Sequence, residues 1–449
     1  MMQRLLGRRG RPPVRRPSSA PPRSSSPPAP SPAPPPSLPP YPLYADADVT
    51  DVEDVRRSAL RKAFTPTHPL RSARRLAGRR TQLARVLRAV LDESAHVVMY
   101  AERGRGKTSL INLVSEALRA LSFMVGSYSC AAEDEFDAIL RGLLRSLPRS
   151  LLAVPVQQGE ERLLGCEAAL PDGRLQPHDV LGLAGRFTGR RMVLVVDEFD
   201  RIGDVATRTR LADTIKLLSD RAAPILFIIV GVSDNLEELL GRHPSIQRNV
   251  VSVPLPLLTD TEIEALLERG AQEADLVFPP AARYAIAGLA RGVPYIAQLL
   301  ALHAGYSMLR RGSREIARAD LDEALEIAVA EADPRVSRLF ETLTEGGRDA
   351  AMKAFLRALA NGTQDAFGRF VVEPAGAGLL SVAGRAAPAE LWQRLIDAGA
   401  VRRCGEGGPH LFAMAEATFG NYVLMRAARD GPERRAEALV PFQATAAAQ

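Results

Sequence analysis

One eight-residue stretch restricts this chain more than any other feature. Residues 101–108 read Ala-Glu-Arg-Gly-Arg-Gly-Lys-Thr, between an apolar run at 95–100 and a helical pattern at 106–121. A triphosphate needs several donors converging on it. Consecutive backbone N–H groups of a tight loop supply them, and the following helix adds its positive N-terminal end. Gly104 and Gly106 let the main chain approach the phosphates without a clashing Cβ. Lys107 then reaches the β- and γ-phosphates, and the Thr108 hydroxyl takes a Mg2+ position. Glu102, Arg103, Arg105 and Ser109 complete the stretch expected to contact nucleotide. The first position of the pattern is usually glycine and is Ala101 here, which the looser form of the pattern accepts. Only four lysines stand against 54 arginines in the whole chain, so a lysine at this position is not compositional accident.

The surrounding pattern supports that reading. Strand-like apolar runs at 95–100, 123–130, 192–196, 225–232 and 250–253 alternate with helical patterns at 106–121, 133–147 and 207–220. Continuous apolar strands between amphipathic helices predict a parallel sheet covered on both faces. Residues 148–190 are less regular and read as an insertion ending in a helix. After Thr259 the strands stop, and 259–333 reads as four helices punctuated by Pro279-Pro280 and by Gly292-Val293-Pro294. From 334 to 430 helices precede two short strands around a glycine-rich turn at 405–408, then another helix, which suggests a winged-helix-like unit.

The run 192–196, Met-Val-Leu-Val-Val, leads straight into Asp197 and Glu198. Two acids at a strand end stand at the carboxyl edge of the sheet, where open α/β folds bind ligands. Asp197 would hold Mg2+ through its water shell, and Glu198 would polarise a water for in-line attack on a γ-phosphate. Asp200 and Arg201 belong to the rim.

Together these motifs resemble the AAA+ P-loop ATPases, specifically the initiator branch related to origin-recognition ATPases, over about residues 64–333. Residues 76–83, Leu-Ala-Gly-Arg-Arg-Thr-Gln-Leu, are similar to the box that helps enclose the adenine in that branch, with Gly78 and Arg79 as contacts and Gln82 where Glu is common. The resemblance implies an ATP hydrolase with Mg2+ and a helical lid. It makes Ser233 the polar sensor, with Asp234 and Asn235 as alternatives. It makes Arg248, or else Arg242, an arginine finger reaching the γ-phosphate of a neighbouring copy, and so implies self-association. In the lid, Arg291 is either a second sensor touching ATP, or else Pro294 packs on the nucleotide as in the related STAND signalling ATPases. That likeness implies a slow nucleotide-dependent switch as the alternative to an ATPase driving conformational or assembly change. A third possibility is an ATP-regulated DNA-binding protein of the initiator type.

Charge argues against the last. Residues 1–44 hold seven arginines and no acid, and the remainder carries 51 basic against 52 acidic residues. A near-neutral body offers no strong DNA-binding face. The expected recognition helix at 389–398 brings only Arg394, and the wing adds Arg402 and Arg403. Fifteen of the 34 prolines fall in residues 1–44, predicting an extended, solvated tail and blocking the amphipathic helix of a transit peptide. Cys130, Cys166 and Cys404 lie far apart, which fits a reducing cytosol and a cytoplasmic protein. No apolar run is long enough to span a membrane. The expected organisation is a tail at 1–49, a nucleotide-binding α/β domain at 50–257, a helical lid at 258–333 and a winged-helix-like domain at 334–449. ATP or ADP is the expected ligand, with a further protein partner that the residues do not name.

Overall fold

The computed structural model describes residues 52–69, 76–147, 166–184, 191–233, 239, 248–404 and 410–431. Five strands form the first sheet: β1 (His96–Tyr100), β2 (Met124–Ser129), β3 (Met192–Asp197), β4 (Ile225–Gly231) and β5 (Val250–Pro254). Their order is β2-β3-β4-β1-β5, and all four pairings are parallel. Strands β3 and β4 lie inside the sheet with both faces covered, so their apolar residues run without alternation.

Helices α1 (Val52–Ala63), α2 (Arg80–Leu91), α3 (Lys107–Ala120), α4 (Phe136–Arg145), α5 (Pro177–Ala184) and α6 (Val205–Asp220) belong to the same half of the chain. One core beneath the sheet joins β-strand side chains to α4, α5 and α6, and the opposite core joins them to α2 and α3. Helix α4 shows why: Phe136, Ile139, Leu140, Leu143 and Leu144 recur at helical spacing and are all buried. Each such side chain contributes about 1.5–3 kcal/mol when fully removed from water. At the start of β1, buried His96 accepts the Phe227 N–H on Nδ1 at 2.8 Å. Burial pushes its pKa down to about 4, so it is a neutral acceptor completing the sheet.

The segment expected to form a lid holds four helices: α7 (Asp260–Ala274), α8 (Pro280–Ala290), α9 (Pro294–Arg310) and α10 (Arg318–Ala330). Thr259 and Glu262 form a capping box at the start of α7, and proline sits in the first turn of α8 and α9. Although α1 falls within 50–257, its Leu60 and the following Phe64 are part of the lid core, not of either core on the sheet.

The C-terminal residues form α11 (Pro334–Leu343), α12 (Ala350–Ala360), β6 (Phe370–Gly376), β7 (Leu379–Val382), β8 (Arg385–Pro388), α13 (Ala389–Asp397), β9 (Val401–Arg403), β10 (Leu411–Met414) and α14 (Phe419–Asp430). The two expected strands are β9 and β10, while the turn at 405–409 lies outside the described residues. Strands β6–β8 were not expected. Pro374, Gly376 and the Arg-Ala-Ala-Pro of β8 are poor strand formers, and antiparallel neighbours override that preference in the order β8-β7-β6-β10-β9. Lid and C-terminal helices share one hydrophobic core. Asn421 in α14 fixes the join by donating to the carbonyls of Leu289 and Ala290 at 2.9 and 2.8 Å. No described helix is long and apolar enough to cross a membrane.

Candidate functional site

The loop between β1 and α3 and the ends of β3 and β4 converge on a cavity of about 650 Å³ at the carboxyl edge of the parallel sheet. Residues 103–109 line one wall, and Asp197, Glu198, Asp200 and Arg201 line another. Gly104 and Gly106 have φ of +77° and +85°, the left-handed backbone that lets the loop curl over the first turn of α3. Lys107 rests on the loop itself: its Nζ donates to the carbonyls of Ala101 at 2.7 Å and Glu102 at 3.1 Å. Burial pushes the Lys107 pKa down to about 8, against the pull of Asp200, Glu102 and Asp197. A largely desolvated lysine gains from an anionic ligand, which favours its charged form.

The two expected Mg2+ residues meet. The Thr108 hydroxyl donates to Asp197 Oδ2 at 3.3 Å, and the Glu198 N–H donates to Oδ1 at 2.8 Å. Burial holds the Asp197 carboxyl above its usual range, and those hydrogen bonds partly offset it. A hydroxyl beside a carboxylate at the mouth of a polar cavity is a donor set that fits a hard divalent cation.

Glu198 stands in the left-handed region with φ +53°, an uncommon backbone state for a residue with a Cβ. Its Oε2 accepts from Arg201 Nη1 at 2.8 Å and from Ser129 Oγ at 3.0 Å. The Arg201 bond, then the Ser129 bond, hold its carboxyl below the usual range against partial desolvation. Two residues on, Asp200 Oδ1 accepts the Val232 N–H at 2.7 Å, tying the acidic turn to the end of β4.

Several expected residues stand elsewhere. Gly78 and Arg79 do not line the cavity. Arg79 is 3% exposed and donates from behind the loop to the carbonyls of Arg105 at 3.2 Å and Pro256 at 2.6 Å. The wall expected of them is formed instead by Thr65–Pro69, whose Thr65 N–H donates to Gln298 of α9 at 2.9 Å. The signal for that wall was Thr-Pro-Thr-His-Pro, where two prolines enforce extended chain.

The Arg105 side chain is also turned out of the cavity: its Nη2 donates to the Phe367 carbonyl at 2.7 Å. Arg291 is likewise engaged away from the cavity. It caps α8 in the left-handed conformation, is 6% exposed, and donates to the Gly362 carbonyl at 3.0 Å. Pro294, with Tyr295 and Gln298, lines the cavity instead.

Ser233 is buried beside Val232, and Val232 is the residue of that pair lining the cavity. Arg248 is exposed two residues before β5 and outside the cavity of its own chain. Asp234, Asn235 and Arg242 lie outside the described residues.

Residues 90–240 match the AAA domain family. None of the curated proteins matches the chain. Among solved structures, the chain is similar to the RuvB Holliday junction branch migration motor of Thermotoga maritima, at 17% identity and a TM-score of 0.43, covering 78% of this chain and 96% of that one. It is similar to the ORC1 protein of Aeropyrum pernix in complex with DNA, at 16% identity and a TM-score of 0.41, covering 85% and 98%. It is similar to the Aeropyrum pernix ORC2 protein, at 15% identity and a TM-score of 0.45, covering 82% and 96%.

Proposed function

We propose that this chain, an AAA+ P-loop protein whose AAA domain spans residues 90–240, binds ATP with Mg2+ and hydrolyses it to drive a conformational or assembly change. The observation that carries the reading is one cavity lined jointly by Lys107, the Thr108–Asp197 pair and Glu198. Backbone N–H groups of residues 104–108 and the start of α3 receive the phosphates. Lys107 leaves its own loop carbonyls for the β- and γ-phosphates. Thr108 and Asp197 would hold Mg2+, which neutralises phosphate charge. Glu198, released from Arg201, orients and polarises the attacking water. Arg248 serves the site of a neighbouring copy and so makes turnover depend on self-association. The organisation into nucleotide-binding, lid and winged-helix-like domains, with boundaries near 257 and 333, belongs to the same proposal, as does a cytoplasmic setting.

The test is a pair of variants. Glu198→Gln should keep ATP bound while lowering turnover at least about 100-fold, the scale of a lost general base. Normal turnover in Glu198→Gln would remove that residue from the mechanism. Arg248→Ala should slow turnover of assembled protein while leaving ATP affinity unchanged, and an undiminished rate would reject the finger.

One observation favours the switch as a second reading. Pro294 lines the cavity while Arg291 is engaged with Gly362, and the C-terminal residues grip the phosphate loop. A switch of this kind comes off the purification column with tightly held ADP and turns over very slowly. DNA binding has less support, since Arg394 is committed to Asp349 at 2.7 Å and Arg402 to Glu102.

A further inference from the structure

Two side chains of the phosphate loop are turned away from the cavity and into the C-terminal residues. Arg105, 6% exposed, donates to the Phe367 carbonyl at 2.7 Å. Glu102 forms a close ion pair with Arg402 of β9, where the two side chains are 17% and 33% exposed. These are positions that the phosphate-loop pattern leaves free, so the phosphates do not explain their chemistry.

The turn that receives Arg105 is itself braced. The Asp365 carboxylate accepts the Phe367 N–H at 2.8 Å, the Arg369 N–H at 2.9 Å and Arg369 Nε at 2.7 Å. The same turn meets the connection between sheet and lid, where the Leu257 N–H donates to the Ala366 carbonyl at 2.7 Å. Glu102 links this grip to the reacting end of the loop. Arg402 holds its carboxylate, and its carbonyl receives Lys107 at 3.1 Å.

We infer that Arg402 and the turn at Phe367 latch the phosphate loop, so that residues outside the AAA domain set how long a nucleotide stays bound. Arg402 is a positioning residue acting through Glu102. A loop already held in one shape loses less freedom when phosphates arrive, and a bound nucleotide leaves only when that shape yields. The inference rests on the ATP-binding reading for its nucleotide readout and on the loop itself for a second one.

The experiment measures release of a fluorescent ADP analogue from full-length wild-type protein, Arg402→Ala, Glu102→Gln, the double variant and Arg402→Lys. Hydrogen exchange of the amides at 101–108 is followed in the same proteins without nucleotide. Arg402→Ala and Glu102→Gln should each release the analogue about tenfold faster, the effect of losing one charge-assisted bond. The double variant should be no faster than either single one, and Arg402→Lys should restore most of the residence time. Loop amides should exchange faster in both single variants. Glu102→Gln leaves β9 untouched and so separates the latch from damage to the C-terminal sheet. Release within about twofold of wild type in both single variants, with unchanged loop exchange, overturns the latch. Should wild-type protein hold no nucleotide, the ATP reading fails, and loop exchange still decides the latch.

Discussion

Glu198 and Arg201 form an ion pair at 2.8 Å on the rim of the cavity, three residues apart in the turn that ends β3. The pair keeps the Glu198 carboxyl ionised to lower pH than an isolated glutamate. As a base it would then remain competent in mild acid. Arg201→Ala should move the acidic limb of the kcat/KM–pH profile, which reports the free protein, to higher pH, because the carboxyl gains a proton more readily without its partner. A limb that stays in place in that variant would separate the ion pair from the reaction.

Lys107 supplies a second pH dependence. In the free protein burial lowers its pKa to about 8, so above that value much of it is neutral. Bound phosphates favour the charged form, so binding above pH about 8 takes up a proton and affinity falls as pH rises. Calorimetry in buffers of different ionisation heat should show proton uptake in alkaline solution and little at neutral pH. Binding heats independent of the buffer at alkaline pH would contradict this.

His96 makes a stability prediction. Its folded pKa of about 4 lies below the ordinary value of 6.5, so the unfolded chain binds the proton more tightly. Stability is therefore intact at neutral pH and is lost as pH falls from about 6.5 toward 4, by up to about 1.4 kcal/mol per pH unit from this group. His96→Leu should lower stability at neutral pH by about 1–3 kcal/mol, since the Phe227 N–H loses its acceptor, and should flatten the acid slope. Chemical denaturation across that pH range is the check, and an unchanged slope would assign the acid sensitivity to other groups.

Gly292 closes the joint between sheet and lid. Its φ is +76°, and a Cβ there would lie 2.3 Å from the Leu258 carbonyl oxygen, a backbone atom. Gly292→Ala should therefore destabilise the protein by at least about 2 kcal/mol, read as a lower thermal unfolding midpoint. An unshifted midpoint would mean that the joint relaxes at no cost.

How much of this was legible depended on how local the signal was. The parallel sheet could be read because β3 and β4 are covered on both faces and carry uninterrupted apolar runs ending at Asp197 and Gly231. Lys107, Thr108, Asp197 and Glu198 were legible because each belongs to a short motif placed at the carboxyl edge of that sheet. Strands β6–β8 were hidden because alanine, glycine and proline occupy them, and cross-strand partners alone decide their state. The roles of Arg79, Arg105 and Arg291 were hidden for a different reason. Each donates to a backbone carbonyl 26 to 262 residues distant, and no sequence periodicity marks a carbonyl as an acceptor.

The most direct measurement of the central claim is titration calorimetry of Mg·ATP into wild-type protein and Lys107→Ala. Wild-type protein should give saturable heat that depends on Mg2+, and Lys107→Ala should give none. No heat from wild-type protein, or equal heat from the variant, would contradict a phosphate site built on residues 101–108.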